Sequence, residues 1–268
     1  MMQVAMTGAG GAIGRVLRPY LLACGYAVRS VDVVPLTSLG ETETVLQGDL
    51  RDPAVIDRAL AGAQMVLHFA GTSVERPLPE IIENNLSALH QLYEGARRHG
   101  VRRVVFASSN HAFGMHASGK LLELDAPYRP DSLYGLSKVW GEAMSRLYWE
   151  KHGIEGISLR IGSALPRPTE TRHLSTWFGE EDLRQLVRCC IEAGDVDCLA
   201  VWGVSNNTRR WWSNDAVSAL GYRPVQNAED FAGTILAAAA SVDPVAFFYQ
   251  GGTFAATDYT SRKGLPGG

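Results

Sequence analysis

Short apolar runs alternate with longer segments that carry apolar residues at helical spacing. The runs predict six buried strands, at residues 3–6, 27–33, 44–47, 65–69, 102–107 and 154–161. The segments between them predict helices, which begin near residues 12, 53, 78 and 133. Strands that alternate with helices favour a parallel sheet with right-handed crossovers. The predicted fold class is therefore α/β, with a doubly wound, Rossmann-type parallel sheet.

The pattern changes after residue 163. A Pro-Arg-Pro segment at 166–168 is typical of a crossing linker. Helices are then predicted near 180–193, 215–220 and 228–240, with one apolar strand at 198–204. We therefore predict a dinucleotide-binding domain at residues 1–163 and a small C-terminal substrate-binding portion at residues 164–268, packed as one unit.

Composition and net charge bear on which kinds of molecule the chain is expected to bind. The 268 residues are 46% hydrophobic and 20% charged, with a net charge of −3, so neither nucleic acid nor an anionic membrane is expected as a partner. No secretory signal is visible, and no apolar run approaches the roughly 18 residues that span a bilayer. The cysteines lack metal-ligand spacing, so we expect free thiols in a reducing cytoplasm and no metal site; they are Cys24, Cys189, Cys190 and Cys198.

A glycine-rich turn links the first predicted strand to the first helix. It reads Thr7-Gly8-Ala9-Gly10-Gly11-Ala12-Ile13-Gly14. Gly8 allows a tight turn, Gly11 lets the backbone approach a pyrophosphate, and Gly14 lets the helix pack closely on the strand. The N-terminus of the helix would then face the phosphates. This context favours a dinucleotide site over a plain flexible turn.

Further candidate residues follow the other strands. Asp32 lies 18 residues beyond Gly14, where a carboxylate accepts hydrogen bonds from ribose hydroxyls and repels a 2′-phosphate. NAD is therefore favoured over NADP, the alternative being that Asp32 is a solvated loop residue. Ligands of such sheets bind beyond the carboxyl ends of the strands. Side chains and small residues that converge there are Asp49, Ala70, Gly71, Ser73, Ser108 and Ser109.

Tyr134 and Lys138 are candidate catalytic residues. Four residues apart on a helix, they lie on one face, one turn from each other. A phenol with a pKa of about 10 is a reluctant base near neutrality, and an adjacent ammonium favours its phenolate. A serine hydroxyl within reach would hold the oxygen that exchanges the proton.

Several motifs together identify a family. Thr7-Gly8-x-x-Gly11-x-x-Gly14, Tyr134-x-x-x-Lys138 and Leu220-Gly221-Tyr222-Arg223-Pro224 resemble motifs of the extended short-chain dehydrogenase/reductase superfamily. Four further segments narrow the resemblance to its NAD-dependent uronate dehydrogenases: Ala107-Ser108-Ser109-Asn110-His111, Arg172-His173-Leu174-Ser175-Thr176-Trp177-Phe178, Val201-Trp202-Gly203 and Gln250-Gly251-Gly252-Thr253-Phe254. The resemblance implies oxidation of D-galacturonate or D-glucuronate at C1 to the aldaro-lactone, with hydride transfer to NAD. It also implies a homo-oligomer.

The resemblance also implies roles for individual residues. Tyr134 would be the general base, Lys138 would hold the nicotinamide ribose and lower the tyrosine pKa, and Ser109 would be the catalytic serine. The expected cofactor-binding residues, glycine turn included, are Gly8, Gly11, Ala12, Ile13, Gly14, Asp32, Asp49, Leu50, Ala70, Gly71 and Lys138. The expected substrate-binding residues are Ser73, Ser109, Asn110, His111, Tyr134, Ser163 and Arg172, with Arg172 on the C6 carboxylate.

Two other classes of function stay open. A nucleotide-sugar epimerase or dehydratase would use the same Tyr–Lys pair, although the short carboxyl half leaves little room for a nucleotide diphosphate. A non-catalytic NAD-sensing protein would not need the pair. Individual residues also have a second interpretation: Arg172 as a surface ion pair, His111 as an acid/base or a turn residue, Ser108 as structural, and Trp177, Trp202, Trp211 and Trp212 as core or subunit contacts rather than sugar-stacking rings.

Overall fold

A computed structural model, which describes residues 1–239, 241–261 and 264–265, contains a central sheet of seven strands. They are β1 (Gln3–Thr7), β2 (Ala27–Asp32), β3 (Glu43–Gln47), β4 (Met65–His68), β5 (Arg103–Ser109), β6 (Glu155–Ile161) and β9 (Cys198–Gly203). Their order is β3-β2-β1-β4-β5-β6-β9, and every neighbouring pair is parallel. The chain moves outward from β1 to β3 and returns to β4, which opens a crevice at the carboxyl ends of β1 and β4. The predicted doubly wound sheet is confirmed.

The helices and the small second sheet follow the chain in order. The second sheet pairs β7 (Ser163–Ala164) with β8 (Trp177–Phe178). The helices are α1 (Ala12–Ala23), α2 (Pro53–Leu60), α3 (Leu78–Ile81), α4 (Ala88–Arg98), α5 (Leu133–His152), α6 (His173–Thr176), α7 (Glu180–Glu192), α8 (Ala232–Ala237), α9 (Pro244–Phe248) and α10 (Thr253–Ala256). A π-helical turn (Ile82–Ser87) joins α3 to α4, so the single predicted helix has two halves. Short 3-10 turns occur at Asn110–Phe113, Asp215–Leu220 and Ala228–Phe231. The predicted end at residue 240 lies outside the described residues.

Apolar layers cover both faces of the sheet. On one face α1 and α7 bury residues such as Leu17 and Leu186 against the strands, and on the other α2 and α4 bury Ile56 and Leu92. Strands covered on both sides read as continuous apolar runs, which is why the sequence pattern located them. None of the helices within the described ranges is long and apolar enough to cross a membrane.

The later part of the chain both completes the sheet and adds its own core. β9 lies beyond residue 163 and pairs with β6, so the later part of the chain shares the central sheet. The division of the chain into two parts at residue 163 stays a prediction. Trp202 and Trp212 are buried and stacked, with ring centroids 5.0 Å apart. Trp211 packs on the same cluster, and Trp177 is buried in another. These rings therefore serve the core, as one of the two interpretations predicts.

Candidate active site

A cavity of about 930 Å³ lies at the carboxyl ends of the strands. Its walls are formed by the loops that follow strands β1 to β6. The sequence analysis predicts this, because the candidate residues lie at the carboxyl ends of the strands. The predicted site residues that line it are Gly8, Gly11, Ala12, Ile13, Asp32, Asp49, Leu50, Ala70, Gly71, Ser73, Ser109, Asn110, His111, Tyr134, Lys138, Ser163 and Arg172. Gly14 does not line it. A Cβ at Gly14 would lie 2.5 Å from the carbonyl oxygen of Ala9, so this glycine allows close packing of α1 on the turn.

The glycine turn between β1 and α1 forms one end of the cavity. Gly8 has a φ of +70°, and a Cβ there would lie 2.6 Å from the backbone nitrogen of Ala70. Only glycine fits that position, because the turn is left-handed and pressed against the end of β4. The Gly11 N–H donates to the Gly8 carbonyl at 3.1 Å, which closes the turn ahead of the N-terminus of α1. This cradle suits a pyrophosphate.

Asp32 is held in place at the end of β2. Its Oδ2 accepts a hydrogen bond from the Gly10 N–H at 2.8 Å, and its Oδ1 accepts one from the Val34 N–H at 3.1 Å. Both oxygens are therefore fixed at the cavity wall, where ribose hydroxyls can reach them. Gly10, which the sequence prediction omitted, supplies one of these contacts. The cradle and the carboxylate together fit a dinucleotide without a 2′-phosphate.

Tyr134 is placed by the way in which α5 begins. The Ser132 hydroxyl accepts from the Gly135 N–H at 2.9 Å. The Glu75 carboxylate accepts from the N–H groups of Leu133 at 3.1 Å and Tyr134 at 2.8 Å. All three early donors of the helix are thereby satisfied. Glu75 belongs to no recognisable motif, so its contact with the start of α5 could not be predicted from the sequence.

Burial changes the protonation of the Tyr134–Lys138 pair. Each residue is only 6% exposed. Burial raises the pKa of Tyr134 to about 12, although a hydrogen bond with the Ser109 hydroxyl opposes this. Burial lowers the pKa of Lys138 to about 8. The lowering of the tyrosine pKa that the resemblance implies is therefore wrong: the loss of water raises the pKa of Tyr134, and the charge of Asp131 raises it further. The ammonium of Lys138 lies 5.3 Å from the centre of the tyrosine ring.

Arg172 presents a fixed guanidinium to the other end of the cavity. Its Nε donates to the Gln250 carbonyl at 2.7 Å, and its Nη1 donates to the Ser163 hydroxyl at 3.3 Å. The Asn110 amide is oriented so that its nitrogen donates to the Ile161 carbonyl at 3.0 Å. In this orientation the amide oxygen of Asn110 accepts a hydrogen bond from Nη2 of Arg172 at 2.8 Å. All three acceptors are neutral, and each terminal nitrogen keeps one free hydrogen.

Arg172 forms no ion pair with any carboxylate in residues 1–239, 241–261 and 264–265, so it is not the surface ion pair of the second interpretation. Burial lowers its pKa, because a partly buried cation lacks the solvation of water. A carboxylate ligand would replace that solvation through a two-pronged contact.

The C-terminal segment closes this end of the cavity. Gln250 is buried and supplies its carbonyl to Arg172. Gly252 has a φ of +62°, and a Cβ there would lie 2.8 Å from Cδ of Arg172. Phe254 stacks on His111 with centroids 3.9 Å apart. All three residues lie in the segment Gln250-Gly251-Gly252-Thr253-Phe254, which carries part of the family resemblance, but no role was predicted for them.

Two polar residues support the site from behind. Asn85, in the π-helical turn, accepts from the Thr72 N–H at 2.7 Å and donates to the Ser137 hydroxyl at 2.9 Å, which links the loop that carries Ser73 to α5. Ser108 donates to buried Glu142 at 2.6 Å and so has the predicted structural role. The described residues contain no group of three or more His, Cys, Asp or Glu side chains that could hold a metal ion.

Comparison with known proteins agrees with this geometry. Residues 4–222 match the NAD dependent epimerase/dehydratase family. The chain is 41% identical to uronate dehydrogenase of Pseudomonas syringae pv. tomato over 258 residues, which cover 95% of this chain and 94% of that one. The crystal structure of uronate dehydrogenase from Agrobacterium tumefaciens aligns with a TM-score of 0.91 and 40% identity over 96% of this chain and 97% of that one. A mutant of the same enzyme complexed with NAD aligns with the same TM-score, identity and coverage.

Proposed function

The chain belongs to the NAD dependent epimerase/dehydratase family, and on that premise we propose that it oxidises D-galacturonate or D-glucuronate at C1 to the aldaro-lactone. The observation that carries this proposal is Arg172, which lies in the same cavity as Tyr134 and Lys138 and is held only by neutral acceptors. A uronate supplies the carboxylate that this cation lacks. The similarity to uronate dehydrogenases supports the same class of substrate.

The cavity fits NAD at its glycine end. When bound, NAD supplies the hydride acceptor for the reaction. The glycine turn and the N-terminus of α1 would hold the pyrophosphate, Asp32 the adenosine ribose, and Lys138 the nicotinamide ribose. The remaining cofactor contacts that we propose are Ala12, Ile13, Asp49, Leu50, Ala70 and Gly71.

The chain's own residues manage the proton and the orientation of the sugar. Arg172 binds the C6 carboxylate and thereby fixes the sugar ring, while Ser73, Asn110, His111 and Ser163 contact its hydroxyls. The Ser109 hydroxyl holds the oxygen on C1, and the phenolate of Tyr134 accepts its proton. The C1–H bond electrons leave as hydride, and the O–H bond electrons become the second bond of the lactone carbonyl. The Lys138 ammonium stabilises the phenolate.

A spectrophotometric assay tests the proposal. Protein, NAD and either uronate should give NADH, while galactose, which has the same ring without the carboxylate, should give far less. Turnover of a nucleotide sugar without NADH from either uronate would instead favour an epimerase or dehydratase. NAD binding without any turnover would favour a non-catalytic sensor.

The pH dependence of the reaction should follow the Tyr134–Lys138 pair. The reactive form, phenolate beside ammonium, holds one proton fewer than the form with both groups protonated. With pKa values of about 8 for Lys138 and about 12 for Tyr134, the pair loses its first proton near pH 8. Because Lys138 is the more acidic group, the pair that has lost one proton is mainly neutral amine beside phenol, and the reactive form is a small, constant fraction of it. The value of kcat/KM for uronate should therefore rise about tenfold per pH unit below this pH and then level off.

Lys138→Met removes one partner of this pair and shifts the profile. The phenol must then ionise alone, so the rise should move towards the higher pKa of Tyr134. Steady-state rates at constant ionic strength measure both profiles. A wild-type profile that is flat below pH 8, or a variant profile that matches wild type, would contradict the shared-proton scheme.

The choice between NAD and NADP should depend on Asp32. Asp32→Asn keeps the size of the side chain and one acceptor oxygen, but it removes the charge that repels a 2′-phosphate. We expect the ratio of kcat/KM for NAD to that for NADP to fall by about 10-fold to 100-fold, the range for a hydrogen bond to a charged group. The same uronate serves for both cofactors, and an unchanged ratio would remove Asp32 from the ribose site.

We further propose the organisation in which this reaction takes place. Residues 1–163 form the dinucleotide-binding domain, and residues 164–268 form the substrate-binding portion, which supplies Arg172. The other proposed sugar contacts come from residues 1–163. The four cysteines are free, in keeping with a reducing cytoplasm. The exposed leucines Leu136 and Leu147 on α5 offer apolar surface for a homo-oligomer. Sedimentation equilibrium measures the state of association.

A further inference from the structure

A buried carboxylate contacts His111 from outside the cavity. The side chain of Asp131 has no exposed surface, and its Oδ2 lies 2.7 Å from Nδ1 of His111. Its Oδ1 accepts a hydrogen bond from the Ser132 hydroxyl at 2.7 Å. His111 lines the cavity, whereas Asp131 and Ser132 do not. The carboxylate therefore stands behind the imidazole as seen from the cavity.

Glycines make room for this carboxylate. A Cβ at Gly114 or at Gly251 would overlap Oδ2 of Asp131. These two glycines come from distant parts of the chain and are joined by a hydrogen bond from the Gly251 N–H to the Gly114 carbonyl at 2.8 Å. On the other side Gly135 of α5 packs against the carbonyl of His111. The backbone thus holds Asp131 and His111 against each other.

The contact determines which ring nitrogen carries the hydrogen. A carboxylate only accepts hydrogen bonds, so Nδ1 of His111 is the donor, and the neutral ring has its lone pair on Nε2. No protein group within the described ranges hydrogen-bonds to Nε2. Stacking on Phe254 at 3.9 Å and an edge contact with Tyr134 at 5.8 Å hold the plane of the ring.

We infer that Asp131 is a positioning residue for the sugar. It holds His111 in the tautomer with hydrogen on Nδ1, so that Nε2 accepts a hydrogen bond from a sugar hydroxyl beside Tyr134. Asp131 does not line the cavity, so it acts on the sugar through His111 and touches neither sugar nor cofactor. Its charge also raises the pKa of Tyr134 and of Arg172. The identity of the sugar rests on the proposed function, but the tautomer does not.

The tautomer is directly measurable in the wild-type, full-length protein. Long-range ¹H–¹⁵N correlation spectra of the imidazoles, at a pH where the ring is neutral, distinguish a protonated Nδ1 from a protonated Nε2. His111→Gln identifies the His111 signals by their loss. We expect a protonated Nδ1 and a bare Nε2, and the reverse pattern would overturn the inference. This readout needs neither NAD nor a uronate, so it is decisive even if the proposed function fails.

Asp131→Asn tests the consequence for the sugar. The Ser132 hydroxyl should keep the amide oxygen as its acceptor, which turns the amide NH₂ towards Nδ1 and moves the ring hydrogen to Nε2. We expect kcat/KM for uronate to fall about 10-fold to 100-fold, mainly through KM, with KM for NAD nearly unchanged. An unchanged KM for uronate would overturn the role.

A double-mutant cycle separates positioning from a structural role. If Asp131 acts on the sugar through His111, then most of the effect of Asp131→Asn on KM should disappear in a His111→Gln background, leaving only the effect of its charge on Tyr134 and Arg172. A loss as large as that in the wild-type background would overturn the inference. Should Asp131→Asn fail to fold, the spectra of the wild-type protein still decide the tautomer.

Asp57→Asn is the matched control. Asp57 also contacts a histidine, with Oδ1 2.9 Å from Nε2 of His99, but this pair joins α2 to the end of α4 outside the cavity. We expect this variant to keep the wild-type kcat and KM and the wild-type spectrum of His111. A rise in KM for uronate equal to that of Asp131→Asn would show that the effect is not specific to His111, and would overturn the inference.

Discussion

Tyr134→Phe is expected to lower kcat for uronate oxidation by about 100-fold to 10,000-fold, the usual contribution of a positioned general base. The substitution removes one oxygen and leaves the ring in its buried place beside the stacked rings of His111 and Phe254. NAD affinity should change little, because Lys138 and the glycine turn are untouched. Stopped-flow formation of NADH gives the rate of the chemical step, and fluorescence titration gives the Kd for NAD.

Tyr148→Phe is the matched control for this substitution. Tyr148 lies on the same helix and is similarly buried, but its hydroxyl donates to Glu94 at 2.6 Å and does not face the cavity. Removal of that hydroxyl should cost about 1 kcal/mol of stability and leave kcat unchanged. Near-normal turnover by Tyr134→Phe would rule out the phenol as the base, and equal losses in both variants would point to damage to α5.

Arg172→Ala should weaken uronate binding by about 2–4 kcal/mol, the usual cost of removing one partner of a close charge pair. The reason is geometric. Three neutral acceptors fix the guanidinium and leave one hydrogen on each terminal nitrogen for a carboxylate. We therefore expect KM for galacturonate to rise by about 30-fold to 1,000-fold, with a smaller change in kcat. Michaelis–Menten kinetics at saturating NAD measure both.

Galactose provides an internal control for Arg172→Ala. It lacks the carboxylate, so its kcat/KM should be nearly the same in the variant and in wild type, and the preference for galacturonate should collapse. Arg172→Lys keeps the charge but loses the planar fork, so it should recover only part of the preference. An unchanged KM for galacturonate would remove Arg172 from the substrate site.

Local pattern was sufficient for the fold and for part of the site. The β1–turn–α1 unit, the acidic end of β2 and the Tyr134–Lys138 spacing each lie within a short stretch, and the backbone geometry of that stretch limits what it can form. The carboxyl ends of parallel strands share one edge, so candidate residues at those ends had to meet. The residues that were missed have no such local signature. Glu75 accepts a hydrogen bond from the N–H of Tyr134, which lies 59 residues later in the chain. The Gln250 carbonyl accepts one from Arg172, which lies 78 residues earlier.

The sequence by itself determined the alternation of strands and helices, the glycine turn between β1 and α1 and the placement of Tyr134 and Lys138 on one helix, because these depend on periodicity and on close spacing. Only the tertiary structure decided the protonation and the orientation of those side chains. Burial depends on elements that are distant in the chain, and it raised the pKa of Tyr134 where the neighbouring lysine alone predicted a decrease. The same long-range packing left Arg172 without a carboxylate in the described chain and placed Asp131 behind His111. Desolvation and orientation belong to the assembled fold, and no short segment contains them.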